Sequence, residues 1–190
     1  MCHALLWNPK FFALLGRIDH ELAELARAAG CACGGALHRA DYPRKPRGGS
    51  AEVRHEHSTR LSFCCAVCRL RTTPESVRFL GRRVYLGLAV VLCSARRAGP
   101  STAAARMGQW LDVPLRTLTR WRSWWWTQFP LTAAWRAGSA QFMPPLAARQ
   151  LPGALMDRFV GQFVGAPHEA MTRMLLFLSP VTVRAGQAVE

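Results

Sequence analysis

With 190 residues, half of them hydrophobic, the chain has apolar material for roughly one or two compact domains, which excludes a natively disordered polymer. Its 25 Lys and Arg face only 11 Asp and Glu, and the resulting formal charge of +14 exceeds what solubility requires and suits a polyanionic partner. The longest apolar run, residues 84–92, is framed by Arg82, Arg83, Arg96 and Arg97 and falls well short of the ~20 residues of a membrane span, so no membrane association is expected.

Positive charge is carried almost wholly by Arg, with Lys only at Lys10 and Lys45. The guanidinium fork pairs bidentately with phosphates and with guanine edges. A GC-rich coding bias would also favour Arg, but it does not account for the shortage of acids. Lys10 lies inside the first apolar stretch and no small-residue cleavage site follows, so the start does not read as a secretory signal. The expected location is the cytoplasm, associated with the nucleoid. There the seven cysteines stay reduced and free to ligate metal.

In chain order, residues 9–29 place Phe11, Leu15, Ile18, Leu22, Leu25 and Ala29 at helical steps, with Pro9 suited to the first turn and Gly30 to the stop. This stripe spans under three heptads, so packing within the chain is favoured over a homodimer seam. From residue 30 to about 73 the periodicity lapses, and Gly, Pro, charge and five cysteines crowd into a segment with little to bury, which calls for a staple. Short strands are expected at 36–42 and 60–65, separated by a solvated basic loop at 43–58 that carries Arg44, Lys45 and Arg47.

Cys31-x-Cys33 and Cys65-x-x-Cys68 flank that hairpin, and Zn²⁺ takes four deprotonated ligands in a tetrahedron, so these cysteines are the expected structural zinc site. His38 is the alternative to Cys33, because the first pair is one residue short, and Cys64 is the alternative to Cys65. Strand alternation sends Cys64 to the opposite face. Cys2 reads as a mobile terminal thiol and Cys93 as a core residue. His55-Glu56-His57 is a weaker metal candidate, placed in the basic loop.

Helical patterning returns after Pro74. One apolar helix is expected at 82–98, ended by Gly99-Pro100, a second at 101–111 with Ser101 or Thr102 as N-cap, and a third from Val113-Pro114 to Phe129-Pro130. The last two make a helix-turn-helix. Leu115, Leu118, Trp121 and Trp125 are expected inward, and Arg116, Thr117, Thr119, Arg120 and Arg122 outward, where they can read base edges and hold phosphate. The row Trp124, Trp125 and Trp126 cannot face one core, so at least one should pack on the C-terminal helices or a partner. Of the helices beyond Pro130, those at 153–164 and 168–178 are clearest.

Cys65-x-x-Cys68 followed by Arg69, Arg71, Thr72 and Thr73, together with Val113-Pro114-x-Arg116-Thr117-Leu118-x-Arg120-Trp121, resembles the zinc ribbon and helix-turn-helix of bacterial insertion-sequence transposases and their accessory proteins. Residues 40–47, 62–68 and 77–83 resemble a bacterial family that travels with mobile elements. The resemblance covers roughly residues 31–126 and implies DNA binding, with a transposase or a second copy of the chain as a further partner. Two departures are the Cys-x-Cys spacing and Gln109-Trp110-Leu111 after Gly108, which lengthens the first helix.

The expected fold is therefore mainly α with a small zinc-ribbon β-hairpin: an N-terminal amphipathic helix (1–29), a zinc ribbon (30–75), a helix-turn-helix bundle (76–130) and a C-terminal helical region (131–190). Metal-dependent strand cleavage needs two or three clustered carboxylates. After residue 75 only Asp112, Asp157, Glu169 and Glu190 remain, scattered, so a non-catalytic DNA-binding protein is expected, either a mobile-element factor or a transcriptional regulator. The alternative is an RNA-binding or assembly subunit that grips nucleic acid nonspecifically.

Overall fold

The computed structural model describes residues 2–80, 85–95, 109–111 and 113–183. The molecule is mainly helical with a small antiparallel sheet. After a 3-10 turn, helix α1 spans Pro9–Ala29; its N-cap is Asn8, whose side-chain oxygen accepts from the Phe11 N–H at 3.1 Å. Strands β1 (Leu37–Arg39), β2 (Tyr42–Pro43), β3 (Thr59–Arg60), β4 (Phe63–Cys65) and β5 (Arg71–Thr72) follow, with helix α2 (Ala51–Glu56) between β2 and β3. Then come α3 (Gly87–Ser94), α4 (Leu115–Thr127), α5 (Ala133–Gly138), α6 (Gly153–Gln162) and α7 (Pro167–Leu178).

The sheet order is β1-β4-β5, and β2 pairs separately with β3, so one long hairpin is interrupted near Ala40–Asp41 and Leu61–Ser62. Asp41 explains the break: its carboxylate accepts from the Ser62 N–H at 3.0 Å and from Arg39 Nε at 2.5 Å, taking the place of ladder partners. Both expected strand segments are thus present.

Helix α3 is apolar on every side and all eight of its residues are buried, so it forms the centre of the main core. Around it pack Phe11, Phe12 and Leu15 of α1, Trp125 of α4, Leu155 and Phe159 of α6, and Met171, Met174 and Leu175 of α7. The first and last thirds of the chain therefore share one core. A satellite cluster of Ala23, Leu37, Leu61, Phe63 and Cys65 joins the small sheet to the far end of α1. No described helix is long and apolar enough to cross a membrane.

Several expectations are corrected. On α1 the buried stripe is Phe11, Phe12, Leu15, Asp19 and Ala23, while Leu25 is 67 % exposed and Ala29 is open to solvent. The stripe advances in steps of four because α1 turns from the main core to the sheet, and Asp19 is taken in by polar partners. The basic loop is not solvated throughout: Ser50 caps α2 by accepting from the Val53 N–H at 3.3 Å, Val53 is buried, Gly48 lies against Ala89 of α3, and Gly49 lies against Leu86 just before it.

Tyr85 and Leu86, expected in a helix, lie instead in extended bridges, because Leu86 N–H donates to the Arg47 carbonyl at 2.9 Å and Gly87 N–H to that of Arg78 at 2.8 Å. The remaining ends of that helix and nearly all of the helix expected at 101–111 lie outside the described residues. Cys93 is a core residue as expected, whereas Cys2 is half-buried against the core rather than loose.

Candidate metal centre and basic helix face

Helix α1 stops where Gly30 adopts φ +75°, with its N–H on the Arg27 carbonyl at 3.1 Å, and this turn delivers Cys31 to the end of the sheet. Gly34, at φ +78°, closes the next turn by donating to the Cys31 carbonyl at 2.8 Å, which folds Cys33 back beside it. The opposite side is the β4–β5 turn. Cys65 N–H donates to the Leu70 carbonyl at 3.0 Å, Arg69 N–H to the Cys65 carbonyl at 3.2 Å, and Arg69 takes a left-handed φ of +61°. That conformation is unusual for a residue with a side chain, and it bends the chain tightly enough to bring Cys68 over Cys65.

The four sulfurs lie within 4.8 Å of one another. Cys31 to Cys33 and Cys31 to Cys68 are 3.5 Å, and Cys33 to Cys65 is 3.4 Å. A tetrahedron with metal–sulfur bonds of ~2.3 Å has edges of ~3.8 Å, so the observed separations bracket those a tetrathiolate ion needs. The Val67 N–H points at Cys65 Sγ at 3.4 Å, as a donor to a thiolate would. A Cβ on Gly35 would stand 2.5 Å from Cys65 Sγ and 3.0 Å from Val67, so only glycine lets the first turn approach the second.

Electrostatics follow from this crowding. The backbone N–H of Cys68 is the chief group holding the Cys65 thiol down at about 6, helped by that of Val67 and opposed by burial. Cys68 has a favourable N–H from Leu70, but the surrounding sulfurs, Cys33 foremost, and burial outweigh it and push Cys68 up to about 12. By themselves the thiols thus accommodate one negative charge readily and resist more. A divalent cation removes that resistance, and its binding releases protons. The four cysteines can hold a metal ion.

The alternatives are separated by the register. His38 pairs with Cys64 across β1 and β4 and is exposed, while Cys64 Sγ turns to the Arg69 carbonyl at 3.5 Å, so neither joins the group. His55 and His57 do not converge either: His55 is exposed on α2, whereas His57 is buried against Phe12, with ring centroids 5.7 Å apart.

Helix α4 carries the basic face. Arg116, Thr119, Arg120, Ser123 and Thr127 are exposed along one side, and Leu118 and Trp125 are buried as expected. Two positions are reversed. Leu115 is 71 % exposed, because the first turn projects beyond the core, and Thr117 is 3 % exposed with its hydroxyl accepting from Arg120 Nη2 at 3.3 Å. Arg122 is half-buried and lines a cleft rather than the outer face. Of the three tryptophans in a row, Trp125 is fully buried, Trp124 packs on Phe129 at 5.4 Å, and Trp126 donates to the Leu151 carbonyl at 2.9 Å beside α6. Lys45 and Arg47 are exposed, whereas Arg44 is half-buried, its guanidinium 5.3 Å from the Tyr42 ring centre and 6.0 Å from that of Phe79.

Sequence reasoning missed the left-handed Arg69, whose position after the second cysteine was its one signal, and the buried ion pair of Asp19 with Arg78 at 2.7 Å, which had none. Comparison with protein-family models, with characterised proteins and with solved structures returns no match.

Proposed function

We propose that this is a zinc-stabilised DNA-binding protein: Cys31, Cys33, Cys65 and Cys68 hold one structural Zn²⁺, and the exposed face of α4 reads DNA. The observation that carries the metal half is the tetrathiol group itself, with sulfurs 3.4–3.5 Å apart at the closest pairs and Gly35 leaving room for them. Thiolates select zinc among common cations, and four protein ligands leave no open position for a reacting water, which suits a structural role.

The DNA half is supported by the charge of +14 and by the stripe of Arg116, Thr119, Arg120 and Ser123 near the start of α4. In a helix-turn-helix, the early exposed residues of the second helix meet base edges in the major groove, and backbone phosphates are held by neighbouring arginines. Buried Leu111 and Val113, just before α4, suit the seat of such a turn. Acting without catalysis of its own, the protein would serve a mobile element or a promoter.

Elemental analysis of the purified chain should give one zinc per polypeptide, lost in Cys68→Ser. Binding-site selection from random duplexes should return one motif, and Arg116→Ala or Arg120→Ala should weaken binding to it by about 1–3 kcal/mol while relaxing one position. Recovery of random sequences, with affinity falling only as salt rises, refutes sequence reading and favours a nonspecific nucleic-acid or assembly role.

A further inference from the structure

A second concavity lies away from the cysteines. Between the end of α3, the inner side of α4, the 3-10 turn Ala148–Gln150 and the first turn of α6 is a cleft of about 470 Å³. Small-molecule sites typically enclose ~300–1,000 Å³. Arg122 and Arg149 line it, with Asp157 as the carboxylate, so its side-chain charge is net positive.

Two polar atoms there stand out. Arg122 Nε and the Ser94 hydroxyl are shut off from water, and neither has a hydrogen-bond partner among the described residues. Ser94 as a whole is 5 % exposed. Unpaired buried donors are costly, and while others lie elsewhere, at Trp125 and Thr172, two fall on residues that line this one cleft.

Helix α6 opens into the same space. Pro152 occupies its N-cap, no side chain accepts from its first turn, and the first capping bond is Met156 N–H to the Pro152 carbonyl at 2.9 Å. The leading N–H groups at Gly153 and Ala154, which line the cleft, therefore present the positive end of the helix dipole. Gly153 is needed for this approach, because a Cβ there would stand 3.0 Å from the Ala95 carbonyl. Trp126 supplies an aromatic wall: it is 42 % exposed, and its indole is fixed by the bond to Leu151.

We propose that this cleft binds a nucleoside monophosphate group. The phosphate is held by Arg149, Arg122 and the first N–H groups of α6, and reaching the covered Ser94 hydroxyl and Arg122 Nε requires the cleft wall to shift. The base stacks on the open face of Trp126. Asp157 accepts from a sugar hydroxyl or a base amine and, by repulsion, keeps the phosphate at the arginine end. A free nucleotide and the phosphorylated end of a strand share this chemistry. Arg122 and Trp126 lie one turn apart, about 100° around α4 from Ser123 and Thr127 but with Trp126 within about 20° of Thr119, so the cleft borders the face proposed to read duplex DNA; the proposal does not depend on that reading.

The test is calorimetric titration of the full-length, metal-loaded protein, without duplex DNA, with the common nucleoside 5′-monophosphates, the matching nucleosides, and dinucleotides with and without a 5′-phosphate. The expected result is saturable one-to-one binding of a phosphorylated probe, weakened about tenfold or more when the phosphate is removed and again in Arg149→Gln. Arg149 is exposed, so this variant should keep the far-UV spectrum of the parent. Arg173→Gln, which removes an equal charge from the exposed face of α7, should bind as the parent does. Tighter binding of the free nucleotide assigns the site to a soluble effector, and tighter binding of the phosphorylated dinucleotide assigns it to strand ends; either supports the proposal. Absence of saturable binding, equal affinity for nucleosides, or equal behaviour of Arg149→Gln and Arg173→Gln overturns it.

Discussion

Replacing Asp19 tests how the two clusters of the molecule are joined. Its fully buried carboxylate accepts from the Ser76 hydroxyl at 2.6 Å, the Val77 N–H at 2.7 Å and Arg78 Nε at 2.7 Å, tying the middle of α1 to the segment that leads into the core. Asp19→Ala removes three acceptor contacts at once and leaves the Arg78 guanidinium buried without its counter-charge. Breaking a buried pair from one side costs about 3–5 kcal/mol, a large share of the ~5–15 kcal/mol that holds a typical domain together. Urea unfolding followed by tryptophan fluorescence measures it, since Trp125 lies at the centre of the same core. Arg78→Met alone should also be costly, because Asp19 is then the unpaired charge, and the double variant Asp19→Ala with Arg78→Met should cost clearly less than the sum of the two single variants, the remainder coming from the Ser76 hydroxyl and Val77 N–H that lose their acceptor. A cost below about 1 kcal/mol for Asp19→Ala, or simple additivity in the double variant, refutes the view that the pair acts as a unit.

Two further outcomes are expected. Burial, followed by the nearby Arg78 charge, lowers the His57 pKa from 6.5 to about 4. Below 6.5 the unfolded chain takes up a proton that the folded state refuses, so stability should fall as pH drops from 6.5 to 4, by about 3 kcal/mol in all. In His57→Phe the unfolding midpoint should decline less over that interval than in the parent; an identical decline in the two proteins would remove His57 from the account. Gly35→Ala should push the two cysteine turns apart and raise the apparent zinc dissociation constant at least tenfold in competition with a chelator, with the main core still folded by near-UV circular dichroism; unchanged affinity would show that the turns need not approach as closely as they do.

Much of this was legible in the chain because it depends on residues close in sequence. The Pro9 start and Gly30 stop of α1, the apolar run of α3, the strand segments around Leu37 and Phe63, and the helices near 153–162 and 167–178 all follow from local periodicity and punctuation. The cysteine pairs followed as well, since thiols at two- or three-residue spacing can turn to one centre without help from distant residues, and the four do lie close together.

Tertiary structure decided what local patterns could not. Whether Cys33 or His38, and Cys65 or Cys64, turned to the common centre depended on the pairing of β1 with β4, where a shift of one residue exchanges the two faces. Asp19 occupies the buried stripe of α1 because Ser76, Val77 and Arg78 arrive from nearly sixty residues away to satisfy it. Thr117 points inward and Leu115 outward because α4 projects its first turn past the core, an offset that helical period alone leaves free. The cleft beside Trp126 is assembled from α3, α4, α6 and the turn between Ala148 and Gln150. Composition and spacing fixed the chemistry available to this protein; which of those groups meet was set by how distant segments pack.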